Sequence, residues 1–78
     1  MKGVTVEMTQ KLTLTVNEAA EYSGIGRNTL RILIGWHKLP VIRIGKKIVI
    51  RTETLDRFLI ANEGVNLKDK HEVIAVFM

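Results

Sequence analysis

Two segments with helical periodicity meet across only three residues, Gly24-Ile25-Gly26, and that spacing limits what the chain can fold into. On the upstream side, Thr15 stands three residues before Glu18, the spacing of a capping box in which each side chain bonds the other residue's amide. A helix therefore starts near Val16, runs through NEAAEYS and stops at Gly24, which can take the left-handed conformation that closes helices. Its buried side comprises Val16, Ala19, Ala20 and Tyr22, and the paired alanines let a second helix approach closely. On the downstream side, Gly26 serves as an N-cap, a weaker one than Ser or Asp. From Arg27 the apolar positions Leu30, Leu33 and Ile34 share one helical face. Arg27, Asn28 and Arg31 fall opposite, with Thr29 at the boundary, and Ile25 plugs the turn. Two helices joined this tightly, the second basic on its outer face, make a helix-turn-helix.

The remaining elements follow from turn signals. The segment KLTLT at 11–15 alternates and predicts a short strand. The second helix ends around Trp36–Lys38, because Pro40 forces the residue before it out of helical geometry. VIRI at 41–44 and IVIR at 48–51 predict a hairpin with a three-residue loop, Gly45-Lys46-Lys47. That register sets Ile44 against Ile48 and Ile42 against Ile50, gathering four isoleucines on one face and sending Arg43 and Val49 to the other. Thr52 caps a closing helix through ETLDRFLIA, with Leu55, Phe58 and Leu59 inward, ending near Asn62–Gly64. The fold expected is α+β, a small winged helix: strand, helix-turn-helix, two-stranded wing hairpin and closing helix. It occupies residues 11–63, between an N-terminal extension at 1–10 and a C-terminal tail at 64–78. The weak alternation of Val4, Val6 and Met8 and the run VIAVFM, with a strand at 73–77, leave terminal strands whose partner is open: each other, or a second molecule.

Charge is distributed unevenly. Arg27, Arg31, Lys38, Arg43, Lys46, Lys47 and Arg51 fall between residues 27 and 51, where there is no Asp or Glu. The flanks carry −1 and −2, so the net +4 of the 78 residues comes wholly from this third of the chain. A one-signed field is the footprint of a docked polyanion. An apolar content of 46% and charged content of 26% fit a folded domain. With no cysteine, disulfides and thiolate metal sites are excluded. His37 and His71 lie far apart with no second ligand at metal spacing, so no metal site is expected. No carboxylate pair, Cys–His set or phosphate-binding glycine loop argues for an enzyme. The N-terminal residues lack the apolar core of a secretory signal, and no apolar run approaches a membrane span. A soluble, cytoplasmic protein is expected, with no membrane partner, cofactor or small-molecule substrate.

From Leu12 to about Leu59 the chain resembles the small winged-helix domains of the excisionase family, related to the DNA-binding heads of MerR-type regulators. The resemblance is carried by LTVNEAAEYSGIGRNTLRILI, then KLPVIRIGKKIVI, then TLDRFL. Three positions depart from the pattern. Gly26 stands where Ser or Thr commonly caps the recognition helix, His37 where Gly often precedes Lys-Leu-Pro, and Trp36 where a charged residue is more usual. Trp36 is read as a packing residue in preference to a nucleic-acid contact, since large aromatics usually contribute buried area.

The resemblance implies double-stranded DNA as partner, with the second helix in the major groove and the hairpin on the adjacent backbone or minor groove. Arg27, Asn28, Thr29 and Arg31 then meet base edges, since Arg bridges guanine N7 and O6 and Asn bridges adenine N6 and N7. Lys46 and Lys47 suit a negatively charged groove, and Arg43 and Arg51 suit flanking phosphates. Roughly four to five neutralised phosphates give a log–log salt slope near −4. A single module buries only about 600–1,000 Å² of protein surface, which favours several copies of the chain on DNA or a partner protein. An excisionase would bend a mobile element's DNA and recruit a tyrosine-type integrase. The alternatives are a phage or plasmid transcriptional regulator on the same fold, and an interaction module working through the terminal strands.

Overall fold

A computed structural model describes residues 11–77, so the alternation at residues 2–10 lies outside the described residues. The order is β1 (Thr13–Thr15), α1 (Val16–Ser23), α2 (Arg27–Gly35), β2 (Ile42–Ile44), β3 (Lys47–Arg51) and α3 (Thr52–Ala61). The strands form one antiparallel sheet in the order β1-β3-β2. This is the small α+β winged helix-turn-helix expected from the sequence, with β1 joined to the wing as its third strand.

Local chemistry accounts for the first half. The Thr15 hydroxyl accepts from the Glu18 N–H at 3.1 Å, while the Thr15 N–H donates to Glu18 Oε1 at 2.9 Å, completing the capping box. Gly24 closes α1 at φ 79°, with its N–H on the Ala20 carbonyl. Ile25 packs against the core as the plug under the turn. At the far end of α2, the Lys38 N–H reaches the Leu33 carbonyl and the His37 N–H the Ile34 carbonyl, both at 3.0 Å. That pair of bonds is a Schellman motif, which places its central residue in the left-handed region. His37 occupies that position at φ 62°. The geometry explains why glycine is common there and why histidine is strained.

The core is built from Leu14, Ala19, Leu30, Leu33, Ile34, Leu39, Ile50, Leu55, Phe58 and Val73. Leu30, Leu33 and Ile34 face inward as their spacing requires, and Trp36 packs partly buried against the same cluster. Tyr22 differs from expectation. It lies outside the core, half exposed, and its hydroxyl donates to Asp56 Oδ1 at 2.9 Å, tying α1 to α3.

Three further expectations need correction. The hairpin loop has two residues, Gly45-Lys46, so Ile44 pairs with Lys47, Arg43 with Ile48 and Ile42 with Val49. Gly45 has φ 61° and Lys46 does not have positive φ, the pattern of a type II′ turn, whose twist suits a hairpin. The three-residue register assumed a buried isoleucine face. In fact all of β2 is exposed, Ile44 by 59%, so burial does not dictate its pairing. Arg43 consequently shares a face with Ile48 and Ile50, while Ile42, Ile44 and Val49 share the other.

Thr52 is the first helical residue of α3, not its cap, and Arg51 takes the N-cap without a side-chain bond. The Thr52 hydroxyl instead donates to the Lys11 carbonyl, and its N–H to the Leu12 carbonyl, extending the β1–β3 seam.

Residues 73–77 form no strand. The tail is held by a side chain, because Asn62, 6% exposed at the end of α3, donates through Nδ2 to the Phe58 and Ile74 carbonyls, both at 2.9 Å. Its Oδ1 accepts from the Ile74 N–H at 2.8 Å. Val73 is thereby seated in the core, and the Val76 N–H bonds the Lys38 carbonyl at 3.1 Å. An amide side chain that supplies both a donor and an acceptor does for Ile74 what a neighbouring strand would do.

Candidate nucleic-acid interface

Arg31, Lys46 and Lys47 are brought together at one concavity, while Arg27 lines a neighbouring hollow. Arg27 and Arg31 are one turn apart on α2, and the two-residue turn carries Lys46 and Lys47 at the end of the wing. A concavity of about 380 Å³ is lined by Thr15, Val16 and Asn17 at the start of α1, by Arg31, and by Lys46, Lys47 and Ile48. The helix surface and the wing tip therefore open onto one hollow. Arg43, as cross-strand partner of Ile48, lies on the sheet face that borders it.

Asn17 went unremarked in the sequence yet joins both halves of this surface. Its Oδ1 accepts from Arg27 Nη1 at 3.3 Å, and it lines both the Arg31–Lys47 concavity and a second hollow bounded by Glu21, Gly24, Gly26 and Arg27. A residue one position past the first helical turn's start carries no motif; only the crossing of α1 over α2 makes it matter. Asn28 and Arg31 are exposed on α2, and Thr29 is half-buried at its boundary. Ile32 and Gly35 join Asn28 and Arg31 on the exposed side, a stripe visible only once the apolar residues are phased against the helix.

Arg51 stands apart. It sits at the other end of β3 from Lys47, and its guanidinium donates to Glu53 Oε1 at 3.0 Å. It is four positions along the strand from Lys47, roughly 13 Å at the usual rise. Lys11 is likewise engaged, by the Glu18 carboxylate. The Lys11 ammonium, then the Thr15 N–H, hold the Glu18 carboxyl below its ordinary value of 4.5. The Tyr22 phenol is pushed above its ordinary 10.0 by its hydrogen bond to Asp56, with burial adding to the effect. Neither ion pair draws on Arg31, Lys46 or Lys47. His37 and His71 are both exposed, and among the described residues no three His, Cys, Asp or Glu side chains converge as a metal site would need.

A three-helix fold with a short antiparallel wing, cationic across the second helix and the wing tip, defines a winged helix-turn-helix protein. The family model of a helix-turn-helix domain matches residues 13–63, and the chain belongs to that family of excisionase-like small DNA-binding domains. Searches of curated proteins and of solved structures give no match. The family is one of DNA binders, not of enzymes. No helix among the described residues is long and apolar enough to cross a membrane.

Proposed function

We propose that this chain binds double-stranded DNA sequence-specifically, with α2 in the major groove and the β2–β3 turn on the neighbouring backbone. Arg27, Asn28, Thr29 and Arg31 meet base edges, and Lys46, Lys47 and Arg43 neutralise phosphates. Arg51, already paired with Glu53, contributes least. The observation that carries this reading is the shared hollow, where Arg31 of α2 and Lys46 and Lys47 of the wing line one concavity large enough for a backbone phosphate, so that one duplex lying across it meets both elements. Membership of an excisionase-like family supports the finer reading of a recombination directionality factor. Loaded as several copies on a mobile element's DNA, it bends the duplex and recruits a tyrosine-type integrase.

Salt titration of duplex binding tests the first part. With Lys46, Lys47 and Arg43 each neutralising a phosphate, log Kd changes with log salt at a slope of roughly 3 in magnitude. Lys46→Ala and Lys47→Ala each reduce that slope by about 1 and weaken all sequences alike. Affinity indifferent to salt would remove the basis for the reading. Circular-permutation bending assays and pull-down of an integrase from attachment-site DNA test the second part.

A further inference from the structure

The outward stripe of α2 contains two residues that the fold itself does not explain. Ile32 is 49% exposed in a helix whose other large aliphatics, Leu30, Leu33 and Ile34, are buried. It lies four residues after Asn28 and three before Gly35, so Asn28, Arg31, Ile32 and Gly35 form one line along the helix surface. Gly35 is equally unexplained from within. It lacks the positive φ that would require glycine, and a Cβ added there would meet nothing within 4 Å among the described residues. Glycine weakens a helix relative to alanine, by up to about 1 kcal/mol at interior positions. The remaining structural use of a glycine is close approach of the backbone to a bound molecule.

We infer that this stripe is the surface pressed against the base edges, with Ile32 seated on a thymine C5-methyl and Gly35 letting the helix axis sink towards the groove floor. The inference rests on the DNA-binding reading and adds the apolar half of its specificity. Thymine is the base that presents a methyl group in the major groove, so a half-exposed aliphatic side chain between Asn28 and Gly35 discriminates it without a hydrogen bond. Asn28 and Arg31 supply the polar half from the same line.

The test uses the full chain. Selection from a randomised duplex library defines a preferred site, and each thymine in it is then replaced by deoxyuridine, which deletes only the methyl. For the wild-type protein, one or two replacements weaken binding about three- to fivefold, the worth of one buried methyl. The same replacements leave Ile32→Ala unaffected, and that variant tolerates other bases there. Gly35→Ala unfolds at the wild-type temperature or above it, yet binds the site at least tenfold more weakly. A site whose deoxyuridine scan is flat, or a Gly35→Ala protein that binds as wild type, overturns the inference while leaving DNA binding intact. So does a salt-sensitive protein with no sequence preference, or an Ile32→Ala change that alters self-association and not base choice. A chain that retains no duplex at all sinks the DNA reading itself.

Discussion

Replacing Asn62 tests the least expected feature of the fold, a C-terminal tail that an amide side chain grips by both its donor and its acceptor. Asn62→Ala deletes three hydrogen bonds: two from Nδ2 to the Phe58 and Ile74 carbonyls, and one from the Ile74 N–H to Oδ1. At about 0.5–1.5 kcal/mol net for each bond, the three together are worth roughly 1.5–4.5 kcal/mol. Water can reach part of Ile74, which is half exposed, so the lower figure applies to those two bonds. If the tail lets go, Val73 leaves the core, and burial of a valine side chain is worth about 1.5–3 kcal/mol. Both routes converge on a loss near 2 kcal/mol, against a total stability of only about 4–12 kcal/mol for a chain this size. The melting temperature should then fall by about 10 °C. Hydrogen exchange identifies where the loss falls: the Ile74 and Val76 amides should lose protection first, ahead of the α2 amides. Asn62→Asp provides a control, since it keeps an acceptor for the Ile74 N–H but sets a carboxylate against two carbonyls. It should be no more stable than Asn62→Ala. An Asn62→Ala protein that melts within about 2 °C of wild type, with Ile74 still protected, would show that the tail is held by something else.

Three further outcomes follow from single observations. His37→Gly should raise stability by about 0.5–1 kcal/mol in urea unfolding, because the left-handed conformation strains histidine and not glycine, less the extra freedom glycine has when unfolded; a loss would mean the His37 side chain contributes more than its strain. Thr54 is fully buried with no partner for its hydroxyl among the described residues, so Thr54→Val should stabilise by about 1 kcal/mol, and a loss of about 1 kcal/mol would reveal a bond that the hydroxyl makes in solution. The folded-state pKa of Glu18 is depressed, so its contribution is present above the unfolded value and disappears as pH falls through the folded one. Wild type should thus exceed Glu18→Gln in stability at pH 7, the gap closing as pH drops below about 4.5; a gap constant with pH would exclude the carboxylate as its source.

The helices were legible because their signals are local. Thr15 and Glu18 announce a cap, Gly24 a stop, and Leu30, Leu33 and Ile34 a buried face, each within a few residues. The hairpin was located correctly but mis-registered, since its pairing was inferred from a burial that β2 does not experience. The positive φ of Gly45 in a type II′ turn sets the register in place of the isoleucine pattern. Thr52 shows a related limit: a good capping residue one position inside the helix found a tertiary partner, the Lys11 carbonyl. The tail failed as a strand because β-rich composition signals an extended segment without naming what it bonds; here the partner is a side chain, Asn62. Within the interface, the charged residues announced themselves by the absence of acids from 27 to 51. Asn17, Ile32 and Gly35 did not, because a polar residue in a first turn, an aliphatic among aliphatics and a glycine near a helix end all have ordinary explanations. Only their placement removes those explanations.

The central proposition is that the α2 surface and the wing tip bind one duplex together. Titrating the isotope-labelled chain with a short duplex and following amide shifts tests it residue by residue. Asn28, Arg31 and Ile32 of α2, Asn17 of α1 and Gly45–Lys47 of the wing should all move, with one common midpoint, while Asn62 and Ile74 stay still. Shifts confined to the helix or to the wing, or two separate midpoints, would contradict it.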